Sequence, residues 1–163
     1  MGNLSGRVGG QIMGYSIECS ISSTTIEGRI GGAIQGKSVR LKYTDSTLKG
    51  RIGGMIIGND VDLAYSSNSL SGRIGGEVIG DDISISGERH ITGRVGGQFI
   101  GFSVNLTSEA GYLSGRLGGD VIGSDVSINY TGTFPAILAA ALSIITYHCY
   151  LESRRRSSSN SSG

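Results

Sequence analysis

The sequence predicts an all-β protein of six tandem repeats, followed by one apolar α-helix. A phrase of the form Leu-Ser-Gly-Arg-Ile-Gly-Gly recurs through most of the chain, and its Arg returns every 22 residues with one interval of 21. A fixed period in this range is typical of stacked units, none of which can bury its own apolar face alone. The phrase opens at Leu4, Ile26, Leu48, Leu70, Ile91 and Leu113.

Each repeat contains two segments with the alternation of a β-strand. In the first repeat, Leu4, Val8 and Ile12 share one face, with glycines between the large residues and polar residues on the other face. After Gly14 the alternation changes phase, so that Ile17 continues the apolar face in a second strand. Period-two alternation of β-branched residues predicts strands that are half buried.

The change of phase predicts a tight turn between the two strands of a repeat. Glycine suits such a turn because it adopts positive φ without steric cost. A looser polar junction of about four residues, such as 66–69, is expected between repeats. The predicted turn glycines are Gly14, Gly36, Gly58, Gly80, Gly101 and Gly123.

Two architectures fit this pattern, a β-solenoid and an antiparallel meander of hairpins. The solenoid is the preferred prediction, because its two strands per coil bury their apolar faces against each other without another molecule. The meander is the alternative, with glycine at the first position of a two-residue turn. It would set Ile56 opposite Val61, Gly54 opposite Leu63 and Ile52 opposite Tyr65.

Arginine is the most constant polar residue of the repeat, and two hypotheses explain it. The preferred one is structural, with each guanidinium bonded to backbone carbonyls and neighbouring side chains. The second is a ladder that binds a polyanion or lipid headgroups, because stacked arginines would otherwise repel one another. The residues concerned are Arg7, Arg29, Arg51, Arg73, Arg94 and Arg116.

The repeats end near residue 133, and residues 134–151 form an apolar run without a formal charge. Its composition predicts a helix, which either anchors the protein in a membrane or caps the array and contacts other subunits. Arg154, Arg155 and Arg156 would mark the cytoplasmic side of a span, and residues 152–163 are expected to be a flexible tail. The predicted contact residues are Phe134, Ile137, Leu138, Leu142, Ile145, Tyr147 and Leu151.

Charge and composition argue against several functional classes. Net charge is +1, so the basic face typical of nucleic-acid binders is missing and no nucleic-acid partner is expected. His90 and His148 have no partner at metal-ligand spacing, so neither a metal, a cofactor nor catalysis is predicted. Cys19 and Cys149 fall at apolar positions and are expected in the core. The first residues lack the pattern of a secretory signal.

These observations predict a non-catalytic structural or scaffold protein. Its β-repeat rod would be held to a membrane, or assembled into a homo-oligomer or filament, through the C-terminal helix. The expected location is therefore a membrane-associated or surface-associated assembly. The alternative is a binding module whose repeated arginines hold an anionic ligand or lipid headgroups, and no other small-molecule ligand is expected.

Overall fold

The computed structural model is a closed barrel of twelve antiparallel strands with one helix inside it. It describes residues 1–10, 13–32, 36–54, 58–75, 80–97, 101–119 and 123–161. The all-β class with one C-terminal helix is therefore confirmed.

The strands follow one another around the barrel in chain order, two from each repeat. They are β1 (Gly2–Gly9), β2 (Gly14–Ile21), β3 (Thr25–Gly31), β4 (Gly36–Tyr43), β5 (Thr47–Gly53), β6 (Gly58–Tyr65), β7 (Ser69–Gly75), β8 (Gly80–Ser86), β9 (His90–Gly97), β10 (Gly101–Glu109), β11 (Tyr112–Gly118) and β12 (Gly123–Tyr130). The helix α1 spans Ala136–Ser161.

The prediction of a solenoid is wrong, and the meander is the observed arrangement. The second strand of each repeat pairs antiparallel with the first strand of the next, as where Cys19 lies opposite Gly28. Connections of only a few residues suit antiparallel neighbours. β1 also pairs with β12, through Leu4↔Tyr130 and Val8↔Val126, which closes the sheet. Closure gives all apolar strand faces one shared interior and removes the two open edges of a meander.

The predicted hairpin register is also wrong, because the connection within a repeat has four residues rather than two. Gly53 and Gly58 close the connection between β5 and β6, which places Ile52 opposite Asn59 and not opposite Tyr65. Ile56, which was expected to face Val61, lies outside the described residues. The partner of Val61 is Gly50, and that of Leu63 is Leu48.

The six predicted turn glycines begin the second strand of each repeat and do not form the turn itself. Among them only Gly14 has a positive φ in the left-handed range, of 147°. Between β5 and β6 the positive φ belongs to Gly53, at 98°. Gly58 is required for a different reason, since a Cβ there would lie 2.5 Å from the carbonyl oxygen of Ile52.

The helix runs through the barrel from one open end to the other. We call the end with the paired glycines, such as Gly53 and Gly58, the loop end, and the end with the connections between repeats the junction end. Phe134 packs against Tyr43 at the junction end, with ring centroids 5.8 Å apart. Tyr147 packs against Phe102 near the loop end, at 4.8 Å. The chain therefore enters the lumen at the junction end and leaves it at the loop end.

Every side of the helix is covered by the barrel. All residues from Ile137 to Cys149 are buried, including the polar Ser143 and Thr146. These two hydroxyls donate to the carbonyls of Ala140 and Leu142, each at 2.7 Å, so they need no partner in the barrel. A helix that is apolar all round needs an apolar environment on every side, which the inner face of the barrel supplies.

Removing the helix is expected to unfold the barrel. Deletion of residues 134–163 would expose several hundred Å² of apolar lumen, which at about 25 cal/mol per Å² corresponds to about 10 kcal/mol. We expect the remaining 1–133 fragment to aggregate or to lose its β-sheet signal, as measured by light scattering and circular dichroism. A soluble, cooperatively folding fragment would show instead that the barrel does not depend on its helix.

A matched pair of glycine substitutions tests the role of Gly58. Gly58→Ala should lower the free energy of unfolding by about 2 kcal/mol or more, because the new Cβ meets backbone on the opposite strand. Gly96→Ala is the control, since a Cβ there has nothing within 4 Å. Urea denaturation of both variants compares them directly. Equal stability of the two proteins would contradict the close approach at Gly58.

Candidate functional site

One inward-facing position near the loop end differs from repeat to repeat and surrounds the last buried turns of the helix. It is the residue directly after the glycine that begins the second strand of each repeat. We call this ring the collar. Its members are Tyr15, Lys37, Asn59, Asp81, Phe102 and Ser124.

One side of the collar is aromatic. Phe102 meets Tyr147 of the helix edge to face, and Tyr15 meets Tyr150 in the same way with ring centroids 5.4 Å apart. Tyr147 and Tyr150 also stack on each other, at 6.4 Å. Aromatic pairs of this geometry contribute about 1 kcal/mol each beyond their buried area. These contacts determine which face of the helix turns toward β2 and β10.

The other side of the collar is polar and centres on His148. Its Nε2 lies 2.7 Å from Oδ2 of Asp81, and both residues are buried. The second ring nitrogen, Nδ1, has no hydrogen-bond partner and lies 3.9 Å from Oε1 of Glu152. A carboxylate oxygen therefore lies near each ring nitrogen of His148.

Glu152 completes this polar side. Its Oε1 accepts a hydrogen bond of 2.6 Å from Nδ2 of Asn59 and lies 3.6 Å from Nζ of Lys37. Hydrogen bonds with Asp81 and Asn59 thus involve two residues of the helix, His148 and Glu152. The cluster joins the helix to the barrel wall and helps to hold the helix in place.

The two thiols are also enclosed. Cys19 lies on β2 and Cys149 on the helix, and both are buried. Desolvation by burial raises the pKa of each thiol to about 12. Both therefore remain protonated at neutral pH, as expected for core residues and not for nucleophiles.

The repeated arginines lie on the outside of the barrel at the loop end, where Arg51 and Arg116 bond a backbone carbonyl and a side chain on the next strand. Nε of Arg51 donates to the carbonyl of Gly54 at 2.9 Å, and Nη1 bonds Oδ1 of Asp60 across the strand pair at 2.6 Å. Arg116 repeats both contacts with Gly119 and Asp125. In each case the guanidinium braces the connection that follows its strand.

The arginine side chain of a repeat occupies the space that its glycine leaves by having no Cβ. A Cβ at Gly36 would lie 2.2 Å from the guanidinium of Arg29, and one at Gly80 would lie 2.8 Å from Nε of Arg73. The glycine that begins the second strand of a repeat therefore leaves room for the arginine side chain of the first strand, which lies across it. The residue opposite the arginine on the second strand is serine in three repeats and aspartate in the other three, as with Ser103 beside Arg94 at 3.4 Å.

The apolar residues predicted to contact a membrane or another subunit are packed inside the barrel. Phe134, Ile137, Leu138, Leu142, Ile145 and Tyr147 are buried, and Leu151 is partly buried against the same core. By length and composition, Ala136–Arg155 could cross a membrane, yet 72% of that segment is buried within the protein. The helix also continues to Ser161, through most of the predicted flexible tail.

A cationic cleft opens where the helix leaves the barrel. It measures about 700 Å³ and lies between the helix, β12 and the connection after β1. Its polar and aromatic lining comes from Arg116, Arg154, Arg155, Asp125, Tyr147 and Tyr150, and Met13 lies at its edge. This cleft therefore combines three arginine side chains with two tyrosine rings.

A second cleft, of about 740 Å³, lies at the junction end. Two of the tyrosines that line it already use their hydroxyl groups in hydrogen bonds. The hydroxyl of Tyr43 donates to the carbonyl of Ser22 at 2.5 Å. The hydroxyl of Tyr65 donates in the same way to the carbonyl of Thr44. These tyrosines join successive junctions, so their role is structural.

Sequence reasoning missed the collar because its six residues were assigned to turns. It also found no partner for His148, since Asp81 lies 67 residues away along the chain. Two signals were present. The collar position varies strongly between Tyr, Lys, Asn, Asp, Phe and Ser while its neighbours are nearly constant, and His148 interrupts an otherwise uncharged run.

Among the described residues, no group of three or more His, Cys, Asp or Glu side chains could hold a metal ion. Comparisons with protein-family models, with curated proteins and with solved structures found no match. The function is therefore argued from the geometry alone.

Substitutions at His148 and Asp81 test the polar side of the collar. His148→Leu leaves the carboxylate of Asp81 buried without its partner, which should lower the free energy of unfolding by about 3–5 kcal/mol. The double variant His148→Leu/Asp81→Leu should regain part of this loss, as measured by urea denaturation. Asp82→Leu is the control, because its side chain is 78% exposed and the loss should stay below about 1 kcal/mol. Additive losses in the double variant would contradict a coupled pair.

Proposed function

We propose that the protein is a non-catalytic binding module that holds an anionic ligand in the cleft at the helix exit. One observation carries the proposal: Arg116, Arg154 and Arg155 line the same cleft. Within the described lining the carboxylate is Asp125, which already bonds Arg116 at 2.9 Å. The described lining of this concave site thus combines three guanidinium groups with one carboxylate, next to two tyrosine rings.

The arginines of the cleft are held in defined positions. Arg116 is fixed by the carbonyl of Gly119 and by Asp125, both at 2.9 Å. The guanidinium of Arg154 lies over the ring of Tyr150, 5.8 Å from its centroid, and Nη1 lies 3.1 Å from the hydroxyl oxygen of the same residue. Guanidinium groups held in this way favour phosphate, sulfate or carboxylate groups, which they bind through paired hydrogen bonds.

The absence of an enzymatic role is part of the same proposal, and two features support it. His148 is enclosed by the collar, so a substrate cannot reach its ring without displacing the helix. Burial keeps the thiols of Cys19 and Cys149 protonated. The side chains of His148, Cys19 and Cys149 therefore belong to the packed core.

The structural-rod hypothesis has less support than the binding module. Each described strand already pairs on both sides, so a filament that grows by strand addition has no edge to use. The apolar helix that was expected to join subunits or enter a membrane is occupied by the barrel. A scaffold role would need another surface of the molecule.

Charge-matched variants test the cleft. The wild-type protein should bind inorganic pyrophosphate in calorimetric titrations at low salt, and Arg154→Gln/Arg155→Gln should weaken binding by at least about tenfold. The reason is the loss of two charge-assisted contacts, each contributing about 1.5–3 kcal/mol. Arg40→Gln/Lys42→Gln is the matched control, because it removes the same charge from the outer face of β4. Equal weakening in both variants would indicate a general charge effect and would contradict a site.

A further inference from the structure

We infer that the anion is the headgroup layer of an anionic membrane, on which the protein docks with its loop end while the helix stays inside the barrel. The inference rests on the proposed function and names the source of its ligand. It combines three features of the loop end: an exposed apolar side chain beside the arginines, an excess of positive charge, and a helix that is fixed from within.

The apolar feature is Met13, which is 53% exposed and lines the cleft together with Arg154 and Arg155. The other large apolar residues that are exposed in the described part of the chain are Met1 and Tyr112, both at the junction end.

The two ends of the barrel also differ in charge. The described loop end carries nine cations, namely the six repeated arginines, Lys37, Arg154 and Arg155, against the five carboxylates of Asp60, Asp81, Asp82, Asp125 and Glu152.

The junction end has the opposite sign. The remaining described charges on the junction side are the four cations Arg40, Lys42, Lys49 and Arg89 against the six carboxylates Glu18, Glu27, Asp45, Asp62, Glu88 and Glu109, and the connections between repeats are rich in serine and threonine. Anionic lipid surfaces attract basic segments that lie next to apolar side chains. Charge complementarity therefore turns the loop end, and not the junction end, toward such a surface.

The buried helix makes this contact peripheral. Its apolar residues already face the lumen, and His148, Tyr147 and Tyr150 bond or pack against the collar. Entry of the helix into the bilayer would break these contacts and empty the barrel. The residues left to meet the lipid are those outside the lumen, such as Met13, Arg154 and Arg155.

Co-sedimentation of the full-length protein with lipid vesicles tests the inference. We expect binding to vesicles of phosphatidylcholine with phosphatidylserine, little binding to phosphatidylcholine alone, and release by high salt. Met13→Ser should weaken vesicle binding by about tenfold, because one exposed apolar side chain no longer enters the interface. Tyr112→Ser at the junction end is the matched control and should bind as the wild type does.

The reactivity of the Cys149 thiol toward a maleimide reports whether the helix stays inside the barrel. In vesicle-bound protein, Cys149 and Cys19 should both remain as resistant to a maleimide as in the free protein. Labelling of Cys149 alone would show that the helix leaves the barrel, and it would overturn peripheral docking.

The outcomes separate this inference from the proposed function. Binding of pyrophosphate without binding of anionic vesicles would overturn the membrane inference and leave the anion site standing. Failure of both probes would contradict the proposed function as well. Equal loss in Met13→Ser and Tyr112→Ser would show that the orientation with the loop end toward the lipid is wrong.

Discussion

The interior of a twelve-stranded barrel is too wide for its own side chains to fill, and the rest of the structure depends on this constraint. Strands about 4.8 Å apart and tilted by about 40° give a twelve-stranded barrel a radius of about 12 Å. Eight strands suffice for side chains to fill the interior, so four more strands leave a central column. That column matches the diameter of an α-helix, about 10 Å. The small side chains of Ala139–Ala141 are fully buried in this column.

A helix inside a nearly symmetric barrel has no preferred rotation or depth unless some side chains differ around the ring. The collar supplies that difference, because Phe102 and Tyr15 meet aromatic rings while Asp81 meets His148. Half a turn of the helix would place the imidazole near Tyr15, on the opposite side of the barrel, and leave the carboxylate of Asp81 buried without a partner. Buried polar pairs are expensive to mismatch, so this arrangement specifies one position of the helix. The six repeats are otherwise similar, but their collar residues must differ for the helix to have one preferred position.

The sequence predicted what is local and periodic, and it could not predict what depends on distant parts of the chain. Strands, apolar faces and the helix follow from the alternation around Val8 and Ile17 and from the run that begins at Phe134. A solenoid and a closed barrel use the same alternation, so the choice depends on the pairing of β1 with β12, more than a hundred residues apart. The register depended on whether two or four residues separate the strands, and a glycine pattern alone does not decide that. The uncharged run fits a membrane and a lumen equally well, because both surround it with apolar groups.

The C-terminal segment divides into two parts with different physical roles. Up to Glu152 its side chains are committed to the barrel through the lumen, through His148 with Asp81, and through the bond from Asn59. Beyond Glu152 the barrel wall ends, and Arg154 and Arg155 are exposed beside the cleft. An apolar segment followed by arginines suggests one membrane anchor when it is considered as a sequence. In the folded chain the apolar part completes the barrel, whereas Arg154 and Arg155 of the basic part are exposed outside it.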